Sequence, residues 1–565
     1  MSKRILIVGG VAGGASVAAR VRRLDEHAEV TMFERGPHVS FSNCALPFFL
    51  SRTVKQSDNL VLMSPAQFEK QYNINAKVNS EVVKISPEEH KVVVKDLISG
   101  ETYEEEYDKL FLSPGANPIL PNSIKGINSK HVFPVRNVVD IVHIDNYIKE
   151  NNVKDVAVIG GGFIGLEIME NLKMSGINVT LIEAVDQVMR PLDKDMVQII
   201  QKEIIDNGVE LIVNDPLCNI EEDKVILQSG KEVEAQMVVV AIGVKPEISL
   251  AVEAGVELGE TGAIKVDANY QTNVKDIYAV GDAIEVYSSL LHKPTRLTLA
   301  GPAQRQARGA ADHMYGRTVQ NKGVIGSSCV KVFELNAANT GLNERDCIKN
   351  NIKYDFVYLI PGDRVGILPT ANPMHLKLIF EVPTGKILGC QAIGKGNIVK
   401  RVDVIATMIT MGGTLEDLKE LELCYSPMFS TAKDPLNHAA LVALNILNGE
   451  FKQVKVSKIR KIVENGGFII DVREPHEWEK GHIKNAVNIP MSMFRQRLDE
   501  IPTDRPVYVH CRSAQRSYNV ARALGQLGFD NIYNISGSFM GICYNQYFED
   551  VSLERDKIVT EYNFK

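Results

Sequence analysis

Cys44 is the first residue whose chemistry the sequence singles out. It lies in "VSFSNCALPFFLS" (residues 39–51), just after a glycine-rich strand–turn–helix pattern, and the positions five residues before and after it are Val39 and Phe49. Without a second cysteine nearby, Cys44 cannot close an internal disulfide. Its oxidised form must be a mixed disulfide, a persulfide or a sulfenic acid. A redox reaction at Cys44 would therefore take its second atom from outside the chain.

Cys511 is the second such residue. It ends the apolar run in "PVYVHCRSAQRSYNVARAL" and begins a loop that curls into a helix. Successive loop amides and a helix N-terminus form a cradle for an anion, which favours a thiolate and stabilises a persulfide anion. The predicted loop consists of Arg512, Ser513, Ala514, Gln515 and Arg516.

The other six cysteines are scattered and include no C-x2-C pair, so we expect neither a metal site nor a disulfide scaffold. A cysteine without distinctive surroundings is most often a small buried hydrophobic residue. We expect this of Cys218, Cys329, Cys347, Cys390, Cys424 and Cys543.

Two glycine-rich βαβ patterns, about 150 residues apart, must position this chemistry. In the first, "RILIVGGVAGGASVAARVRRL" precedes "AEVTMFERG". Gly9 and Gly14 take the first and third glycine places of a G-x-G-x-x-G turn, whereas Val11 takes the middle place. Glu34, at the end of the second strand, is the predicted ribose-binding acid. The pattern predicts a dinucleotide site despite the departure at Val11.

The second pattern is complete. "DVAVIGGGFIGLEIMENLKMSG" contains Gly160, Gly162 and Gly165 at the three glycine places, and Glu183 ends the next strand. Such glycines permit a tight turn and a close approach of the backbone to a pyrophosphate. A carboxylate at Glu183 can accept from a ribose 2′-OH and would repel a 2′-phosphate. The sequence therefore favours NADH over NADPH here.

Further elements follow along the chain. Strands are predicted to break at Gly115 and Gly243, and another strand is predicted to end at Gly281-Asp282. After about Gly326 the pattern changes to longer strands and mixed helices, ending in the helix "NHAALVALNIL". The stretch "NGEFKQVKVSK" is predicted to be a polar connector with a boundary near residue 452. The last 110 residues or so form another α/β pattern, so we expect several domains.

Bulk composition excludes some function classes. The chain has 565 residues, 45% of them hydrophobic, and a net charge of −7. This charge argues against nucleic acid as the main partner, since phosphate binding needs a basic surface. No apolar run approaches the length of a membrane span, and the start "MSKRILIVGG" lacks the pattern of a secretory leader. We therefore expect a cytoplasmic protein, in whose reducing compartment a singled-out cysteine is more plausibly catalytic than structural.

Together with the glycine turns, "AVGDA" (279–283) and "LSPGA" (112–116) resemble motifs of the pyridine nucleotide-disulfide oxidoreductases. The resemblance covers residues 1 to about 450. It implies FAD in the first glycine-rich unit, NADH in the second, and a C-terminal interface domain that forms a homodimer. Many members carry a C-x4-C pair where Cys44 stands alone. The implied cofactor-binding residues are Gly9, Val11, Ala12, Gly13, Gly14, Glu34, Arg35, Asn43, Val82, Ser113, Gly115, Gly281, Asp282, Gly160, Gly162, Phe163, Ile164, Gly165, Glu167, Glu183 and Gly243.

Within this superfamily, "GGVAGGAS", "SFSNCALP", "LAGPAQRQAR" and "YSPMFSTAKDPLN" resemble coenzyme A-disulfide reductases and NADH-dependent persulfide reductases. Arg20 and Arg23 are i, i+3 neighbours on one helix face, with Arg22 alongside. They indicate either a phosphate-binding groove or a solvated basic face. The resemblance implies that coenzyme A is contacted at positions Ser16, Arg20, Arg23, Ser40, Asn43 and Lys433.

The resemblance also assigns Tyr425. It implies that this tyrosine is contributed by the partner subunit and that its hydroxyl meets the active-site sulfur, to which a phenol can donate. One feature departs from the family. A tyrosine pair usual in a preceding strand is replaced by Ile367-Leu368-Pro369-Thr370, which puts disulfide turnover in doubt. The family's peroxidases and oxidases carry a histidine where Ala12 aligns, so a sulfenic-acid enzyme ranks lower.

The C-terminal region resembles a rhodanese domain. "IIDVREPHEWEKGHIKNAVNIP" and "VYVHCRSAQRS" carry the resemblance, which covers about residues 455–565. It implies that Cys511 carries sulfane sulfur and that Asp471 and Arg473 brace the loop. Ala514 replaces the usual glycine, which is expected to tighten the loop. The alternative is an inactive fold that serves as a dimer scaffold.

These features predict an α/β protein with two Rossmann-like FAD- and NAD-binding domains, an α+β dimerisation domain and an α/β rhodanese domain. The expected function is an FAD-dependent, NADH-linked reductase of persulfides or polysulfides that uses Cys44 and is supplied with sulfur through Cys511. The alternatives are a coenzyme A-disulfide reductase, an NADH peroxidase or oxidase, and a redox-sensing sulfur-relay protein. The predicted domains are residues 1–118 with 246–325 (FAD), 119–245 (NAD), 326–452 (dimerisation) and 453–565 (rhodanese).

Overall fold

The structure is a computed structural model that describes residues 2–564. The chain forms two compact units. The first comprises the chain up to Asp186 together with Ile212–Val324, and the second comprises Gln187–Leu211 together with the chain from Ile325. None of the helices formed by residues 2–564 combines the length and the apolar character that a bilayer-spanning segment needs.

A parallel sheet forms the centre of the first unit and contains the first glycine turn. Its middle strand, Arg4–Val8, is almost wholly apolar and buried, as expected for a parallel strand covered on both faces. The turn that follows it, the end of the next strand at Glu34 and the stretch from Ser113 therefore meet at one edge of the sheet, where α/β folds bind ligands. In spatial order the strands are Ile277–Ala279, Lys109–Leu112, Arg4–Val8, Glu29–Phe33 and Asn75–Lys77.

A second parallel sheet in this unit contains the second glycine turn. Its strand Asp155–Ile159 pairs with Asn178–Glu183 on one side and with Met237–Val240 on the other. Val132–Pro134 pairs with the latter, and Glu210–Val213 carries the chain back from the second unit.

Helices and small sheets complete the first unit. The helices are Ala12–Leu24, Pro47–Leu50, Pro65–Tyr72, Val138–Glu150, Phe163–Met174, Ser249–Glu253 and Ala300–Met314. The antiparallel strands are Ser80–Ser86, Lys91–Asp96 and Thr102–Glu106; Leu217–Ile220, Lys224–Leu227 and Glu232–Glu234; Ala116–Pro118 with Val244–Pro246; and Val286–Ser288 with Lys293–Thr295.

The second unit contains an antiparallel sheet that is covered by helices. Its strands are, in spatial order, Ser328–Val332, Leu335–Gly341, Ile387–Gly394, Met374–Glu381 and Tyr354–Leu359. The helices around it are Lys194–Asp206, Glu344–Lys349, Val399–Thr410, Leu415–Glu420 and Pro435–Leu447.

The last part of the second unit is built on a parallel sheet. Its strands are, in spatial order, Lys452–Val454, Ile532–Ile535, Val507–His510, Phe468–Asp471 and Val487–Asn488. The helices are Ile459–Glu464, Pro475–Trp478, Gln515–Gln526 and Ser538–Ser552.

The prediction of a polar connector around residue 452 is wrong. Lys452–Val454 is an edge strand that pairs in parallel with Ile532–Ile535. Three residues are too few to show an alternating pattern, and the backbone hydrogen bonds of the sheet hold the segment despite its polar side chains.

A buried ion cluster lies in the second unit. The Lys377 ammonium is fully buried and contacts Asp195 at 2.8 Å, Glu344 at 2.6 Å and Asp193 at 3.1 Å. Lys455 also pairs with Glu344. Burial opposes the charged forms, but the surrounding carboxylates outweigh it and raise the pKa of Lys377, while Lys377 and Lys455 lower the pKa of Glu344 to about 2. The cation that these three carboxylates hold is therefore supplied by the chain itself.

Replacing Lys377 by alanine is expected to destabilise the protein by about 3–5 kcal/mol, because the buried carboxylates of Asp193 and Asp195 would lose their cation, and Glu344 would keep only Lys455. Thermal or urea unfolding of the variant measures the loss, with Lys331→Ala, an exposed lysine on a strand of the same sheet, as the control. Protonation would relieve the uncompensated carboxylates, so the difference from wild type should shrink as the pH is lowered. A difference that is small at neutral pH would contradict this reading of the cluster.

Candidate active site

The first glycine turn packs too closely for most side chains. A Cβ on Gly9 would lie 2.1 Å from the Ser113 carbonyl oxygen, and one on Gly14 would lie 1.8 Å from the carbonyl oxygen of Gly9. Gly9 also has φ +96°, a conformation that favours glycine. Val11 has φ −103°, which a side chain tolerates. The turn therefore forms with valine in the middle place and leads directly into the helix Ala12–Leu24, as an FAD pyrophosphate requires.

The second glycine turn has the same construction. Gly160 has φ +105°, and a Cβ on it would lie 2.5 Å from the Ala241 carbonyl oxygen. Gly165 is equally close to the carbonyl oxygen of Gly160 as Gly14 is to that of Gly9. In contrast, a Cβ on Gly162 would meet no atom within 4 Å. The backbone at the start of the helix Phe163–Met174 is thus open, and this fits the approach of a dinucleotide pyrophosphate.

The two predicted ribose acids are held in the same way. Glu34 accepts the backbone N–H groups of Gly10 and Gly36, both at 2.9 Å. Glu183 accepts those of Gly161 at 2.7 Å and Val185 at 3.1 Å. A carboxylate has acceptor sites beyond the two used here, so each acid can still bind a ribose hydroxyl. The carboxylates are therefore oriented before a nucleotide arrives.

Cys44 is an exposed residue in the 3₁₀ turn Asn43–Ala45. Neighbouring protein atoms nevertheless desolvate the thiol, which raises the pKa of Cys44, and the carboxylates of Glu167 and Asp282 raise it further. The Asn43 amide donates to the Arg136 carbonyl oxygen at 3.5 Å. The groups that the chain places around Cys44 thus favour its thiol form.

Glu167 is the residue through which pH can act on Cys44. Burial, together with the smaller effect of the nearby Glu170 carboxylate, raises the pKa of Glu167 to about 7. Asp282 also has a raised pKa because it is buried, although the Arg136 cation opposes the shift. Glu167 therefore changes charge near neutral pH, and it is close enough to Cys44 for this charge to raise the pKa of the thiol.

Glu167→Gln is expected to speed the alkylation of Cys44 at about pH 8 by about threefold, because the loss of a nearby negative charge lowers the pKa of the thiol. The charge that raises the pKa of Cys44 is then missing, whereas near pH 6 wild-type Glu167 is already largely protonated and the variant should match it. Iodoacetamide labelling followed by peptide mass spectrometry measures the rate. Glu150→Gln, at an exposed position, is the control. Equal acceleration at both pH values would contradict the assignment.

The remaining predicted cofactor residues occupy varied positions in the first unit. Arg35 is exposed and donates to the Asn117 side chain at 3.0 Å, and Val82 is buried on the strand Ser80–Ser86. Gly281 donates its N–H to Gln306 at 2.8 Å. Positive φ angles are found at Gly115, Gly243 and Gly281. At the two glycine turns, Gly13 is buried, Ala12 and Phe163 are half-buried and Ile164 is exposed.

Of the predicted coenzyme A residues, the arginines of the first helix differ most from expectation. Arg20 pairs with Asp312, to which its Nε donates at 2.7 Å. Arg22 is buried and donates to four backbone carbonyl groups, so it is not part of a solvated face. Arg23 is exposed. A phosphate that binds at Arg20 must therefore share that guanidinium with Asp312.

Two more of the predicted coenzyme A positions, Ser16 and Ser40, lie near the start of this helix. Ser16 is half-buried on the helix Ala12–Leu24. Ser40 has φ +48°, and its N–H donates to the Gly10 carbonyl oxygen at 2.8 Å. That bond ties the stretch before Cys44 to the first glycine turn.

Tyr425 lies in an exposed stretch of the second unit. Its side chain is 51% exposed, and Met428 and Phe429 beside it are exposed to a similar or larger extent. Lys433 is also exposed. The stretch is anchored at its end, because buried Arg401 donates to Ser430 at 3.1 Å and pairs with Asp434. An apolar surface of this kind at the end of a fixed loop suits a protein interface.

Cys511 is buried at the carboxyl end of the strand Val507–His510. Two hydroxyl groups lie near its sulfur: the Oγ atoms of Ser517 at 3.6 Å and of Ser538 at 3.8 Å. The Arg516 guanidinium interacts with the same sulfur and forms a two-pronged ion pair with Glu477, at 2.5 and 2.7 Å. These donors can stabilise negative charge on sulfur.

The loop after Cys511 ends in a left-handed residue. Ala514 has φ +76° and forms the N-cap of the helix Gln515–Gln526. Alanine therefore adopts a left-handed conformation that favours glycine, at a cost on the order of 1 kcal/mol. Arg512 and Gln515 are exposed and Ser513 is half-buried, so the loop faces outward.

Asp471 and Arg473 form a buried pair beside this loop. Arg473 donates to both Asp471 oxygens, at 2.6–3.0 Å, and to the Gly481 carbonyl oxygen at 2.8 Å. The buried His510 ring lies 3.6 Å from Asp471, and burial lowers the pKa of His510. The arrangement agrees with a bracing role rather than a chemical one.

The expectation about the other cysteines is correct for three and wrong for three. Cys347, Cys390 and Cys543 are buried, whereas Cys218, Cys329 and Cys424 are exposed. Residue type alone does not decide burial at a strand edge or in a loop. Sequence reasoning also did not single out four residues that contact a cysteine sulfur or one of the residues beside it. Ser517 could have been found from its place in the first turn after Arg516, but the contacts of Arg136, Glu477 and Ser538 join distant parts of the chain and leave no local signal.

Comparisons with known proteins agree with this arrangement. Residues 3–307 match the model of the pyridine nucleotide-disulphide oxidoreductases, residues 327–435 match the dimerisation domain of that family, and residues 455–544 match the rhodanese-like domain. The chain is 33% identical over 435 residues to the coenzyme A disulfide reductase of Staphylococcus epidermidis, covering 77% of this chain and 98% of that protein.

Two solved structures are similar over nearly the whole chain. One is the reduced CoADR-RHD of Bacillus anthracis, with a TM-score of 0.94 and 44% identity over 97% of this chain and 99% of that one. The other is an NAD-dependent persulfide reductase from A. fulgidus, with a TM-score of 0.91 and 33% identity over 95% of this chain and 99% of that one. The chain therefore belongs to the pyridine nucleotide-disulphide oxidoreductases, a family of enzymes that use FAD and NAD(P)H, and it carries the family's dimerisation domain and a C-terminal rhodanese-like domain.

Proposed function

We propose that the protein reduces low-molecular-weight persulfides or polysulfides with NADH and releases sulfide. The observation that carries the proposal is the presence, in one chain, of a loop cysteine without a neighbouring cysteine and a second cysteine whose sulfur lies among hydroxyl and guanidinium donors. Cys44 lacks an internal partner, and Cys511 lies among donors that suit a sulfane-sulfur anion.

In the proposed reaction the Cys44 thiolate attacks the outer sulfur of a persulfide RSSH. The bond between the two substrate sulfurs breaks, RSH leaves after it takes up a proton, and Cys44 carries the outer sulfur as a persulfide. Two electrons then break the new S–S bond, so that sulfide leaves and the Cys44 thiolate is restored. The balance is RSSH + NADH + H⁺ → RSH + H₂S + NAD⁺. FAD bound at the first glycine turn would accept hydride from NADH and supply these electrons.

We propose roles for the surrounding residues in the same terms. The first glycine turn with Glu34 would hold FAD, together with Ser113 and Asp282. The second turn with Glu183 would hold NADH, and the Glu183 carboxylate would disfavour NADPH. Tyr425, from the partner subunit of a homodimer, would donate its phenol proton to the leaving thiolate.

The coenzyme A moiety of a persulfide or disulfide substrate would bind at the remaining predicted positions. We propose Arg23, Lys433 and Asn43 as contacts, with Arg20 shared with Asp312. We further propose that the protein works in the cytoplasm, where thiols stay reduced. We propose that residues 1–118 and 246–325 bind FAD, residues 119–245 bind NADH, residues 326–452 form the dimer contact and residues 453–565 carry sulfur.

Reduction of coenzyme A disulfide is the second candidate. It is favoured by the similarity to the Staphylococcus epidermidis enzyme, which is named for that activity. That similarity covers 77% of the chain, whereas the CoADR-RHD of Bacillus anthracis and the persulfide reductase from A. fulgidus are similar over 97% and 95%, so both of these include the rhodanese-like part. What favours the persulfide is the set of donors around the Cys511 sulfur, which suits a sulfane-sulfur anion.

Steady-state NADH oxidation by the purified enzyme tests the proposal. Coenzyme A persulfide, polysulfide, coenzyme A disulfide and hydrogen peroxide are compared at matched concentrations. We expect the highest kcat/KM with a persulfide or polysulfide, and one sulfide released per NADH consumed. Higher kcat/KM with coenzyme A disulfide would select the second candidate, and faster turnover of peroxide than of any sulfur substrate would reject both.

A further inference from the structure

The turn Gly537-Ser538 holds both the backbone and the sulfur of Cys511. The Ser538 Oγ accepts the Cys511 N–H at 2.8 Å and lies 3.8 Å from the Cys511 sulfur. Because the N–H occupies a lone pair of the hydroxyl, the hydroxyl hydrogen is available for the sulfur. The next residues add two backbone bonds, from Phe539 N–H to the Cys511 carbonyl oxygen at 3.0 Å and from Met540 N–H to that of Arg512 at 3.1 Å.

This turn has a strained backbone. Gly537 has φ +71° and Ser538 has φ +52°, so two consecutive residues are left-handed. The conformation costs serine on the order of 1 kcal/mol and persists only where the surroundings enforce it. Something must therefore support the turn from the side opposite Cys511.

The support is Tyr358, from outside the rhodanese-like part of the chain. Tyr358 lies on the strand Tyr354–Leu359 of the antiparallel sheet and is 2% exposed. A methyl group on Gly537 would lie 2.6 Å from the Tyr358 ring, and one on Gly541 would lie 3.4 Å from it. The ring thus packs against the backbone of the first turn of the helix Ser538–Ser552, and at Gly537 it leaves no room for a side chain.

The ring is itself fixed in place. The Tyr358 hydroxyl forms a 2.7 Å hydrogen bond with Nδ1 of His375, on the neighbouring strand. The His375 ring packs edge-on against Tyr544 of the same helix, with 4.9 Å between the ring centroids. Tyr358 therefore connects the antiparallel sheet of the second unit, here called the dimerisation-type sheet, to the turn beside Cys511. Its contacts leave the ring little freedom to move.

We propose that Tyr358 is a positioning residue for sulfur transfer: its ring holds the Gly537-Ser538 turn so that the Ser538 hydroxyl meets the sulfur of Cys511. The proposal rests on the proposed function of Cys511 as a carrier of sulfane sulfur. It makes a residue of the dimerisation-type sheet part of the sulfur-transfer site. A hydroxyl held 3.8 Å from the sulfur can donate a hydrogen bond to the negative charge that forms on a thiolate or a persulfide.

The test uses the full-length holoenzyme and two readouts. The first is sulfur transfer from thiosulfate to a thiol acceptor, with kcat and KM measured separately. The second is the pH profile of Cys511 alkylation by iodoacetamide, followed by peptide mass spectrometry. Tyr358→Ala is expected to lower kcat about tenfold with little change in KM and to move the alkylation profile to higher pH by about one unit, the effect of losing one hydrogen bond to a charged group. Tyr358→Phe keeps the ring and should stay within about twofold of wild type.

Gly537→Ala approaches the same turn from the other side. The added methyl group would overlap the Tyr358 ring, and the variant should lose sulfur transfer as Tyr358→Ala does. If both residues act through one turn, the double variant Gly537→Ala/Tyr358→Ala will lose less than the product of the two single effects. Independent, multiplying losses would overturn the proposal.

Phe380→Ala is the control for a cavity in the same sheet, since Phe380 is fully buried on the strand Met374–Glu381. Unchanged kcat and an unchanged alkylation profile in folded Tyr358→Ala would overturn the proposal, as would a loss equal to that of Phe380→Ala. The proposed function has a separate test. If Cys511→Ser still transferred sulfur, Cys511 would not be the carrier. The alkylation profile of Cys511 in Tyr358→Ala would still test the role of Tyr358.

Discussion

Cys44→Ser is expected to abolish NADH-driven reduction of persulfide, polysulfide and coenzyme A disulfide, with kcat lowered by at least about a thousandfold. A serine hydroxyl cannot form the S–S bond that holds the substrate sulfur, and the described first unit offers no second cysteine in the redox loop. NADH oxidation and sulfide release, measured in the same reaction, report the loss. The glycine turns are untouched, so the variant should still bind FAD, which the visible spectrum of the purified protein checks.

The control for this variant is Cys218→Ser. Cys218 is exposed like Cys44 and lies in the same unit, but far from the redox loop in the sequence. It should keep wild-type turnover, which separates the removal of a reactive thiol from the removal of any exposed thiol. NADH-dependent sulfide release that persists in Cys44→Ser would remove Cys44 from the mechanism and with it the proposed reaction.

Cys511→Ser is expected to abolish thiosulfate-type sulfur transfer, again by at least about a thousandfold, while NADH-linked reduction of a free persulfide continues. The two hydroxyls and the guanidinium beside Cys511 stabilise charge on sulfur, and they have no equivalent use for a serine hydroxyl. Thiocyanate formation from thiosulfate and cyanide measures the transfer. The same preparation, assayed with coenzyme A persulfide and NADH, measures the reductase.

Cys329→Ser, an exposed cysteine of the same unit, is the matched control and should transfer sulfur normally. The pair of active-site variants then separates the two activities, because each should lose one and keep the other. Sulfur transfer that survives in Cys511→Ser would mean that the rhodanese-like part does not carry the sulfur on this residue. Loss of both activities in Cys511→Ser would mean instead that free persulfide reaches Cys44 only through Cys511.

Several parts of the fold follow from short stretches of sequence. Each glycine turn, its strand, its helix and its acid are contained in about 30 residues, and the packing at Gly9, Gly14, Gly160 and Gly165 shows why glycine is required there. The helix after the Cys511 loop is also predicted from a short stretch, and it begins at Gln515. The short edge strand Lys452–Val454 is not, because its place depends on a partner strand about 80 residues later.

Side-chain pairing across the fold was the main source of error. Arg20, Arg22 and Arg23 read as one basic face of a helix, yet Asp312, 292 residues later, pairs with Arg20, and backbone carbonyls surround Arg22. Of the three, only Arg23 is exposed, as the alternative of a solvated basic face requires. A helical periodicity states which side chains share a face, but it does not state what packs against that face.

The sequence by itself determined that Cys44 has no second cysteine five residues away, that Cys511 ends an apolar strand before a helix, and where the two glycine turns lie. These features depend on residues that are close together in the sequence. Local backbone geometry fixes where such residues lie relative to one another. Only the tertiary structure decided that Glu167 and Asp282 raise the pKa of Cys44, that Lys377 is the buried cation among three carboxylates, and that Tyr358 supports the turn beside Cys511. Such contacts join residues tens to hundreds of positions apart, and they exist only because packed elements bring desolvated groups together, where charges and ring surfaces act strongly.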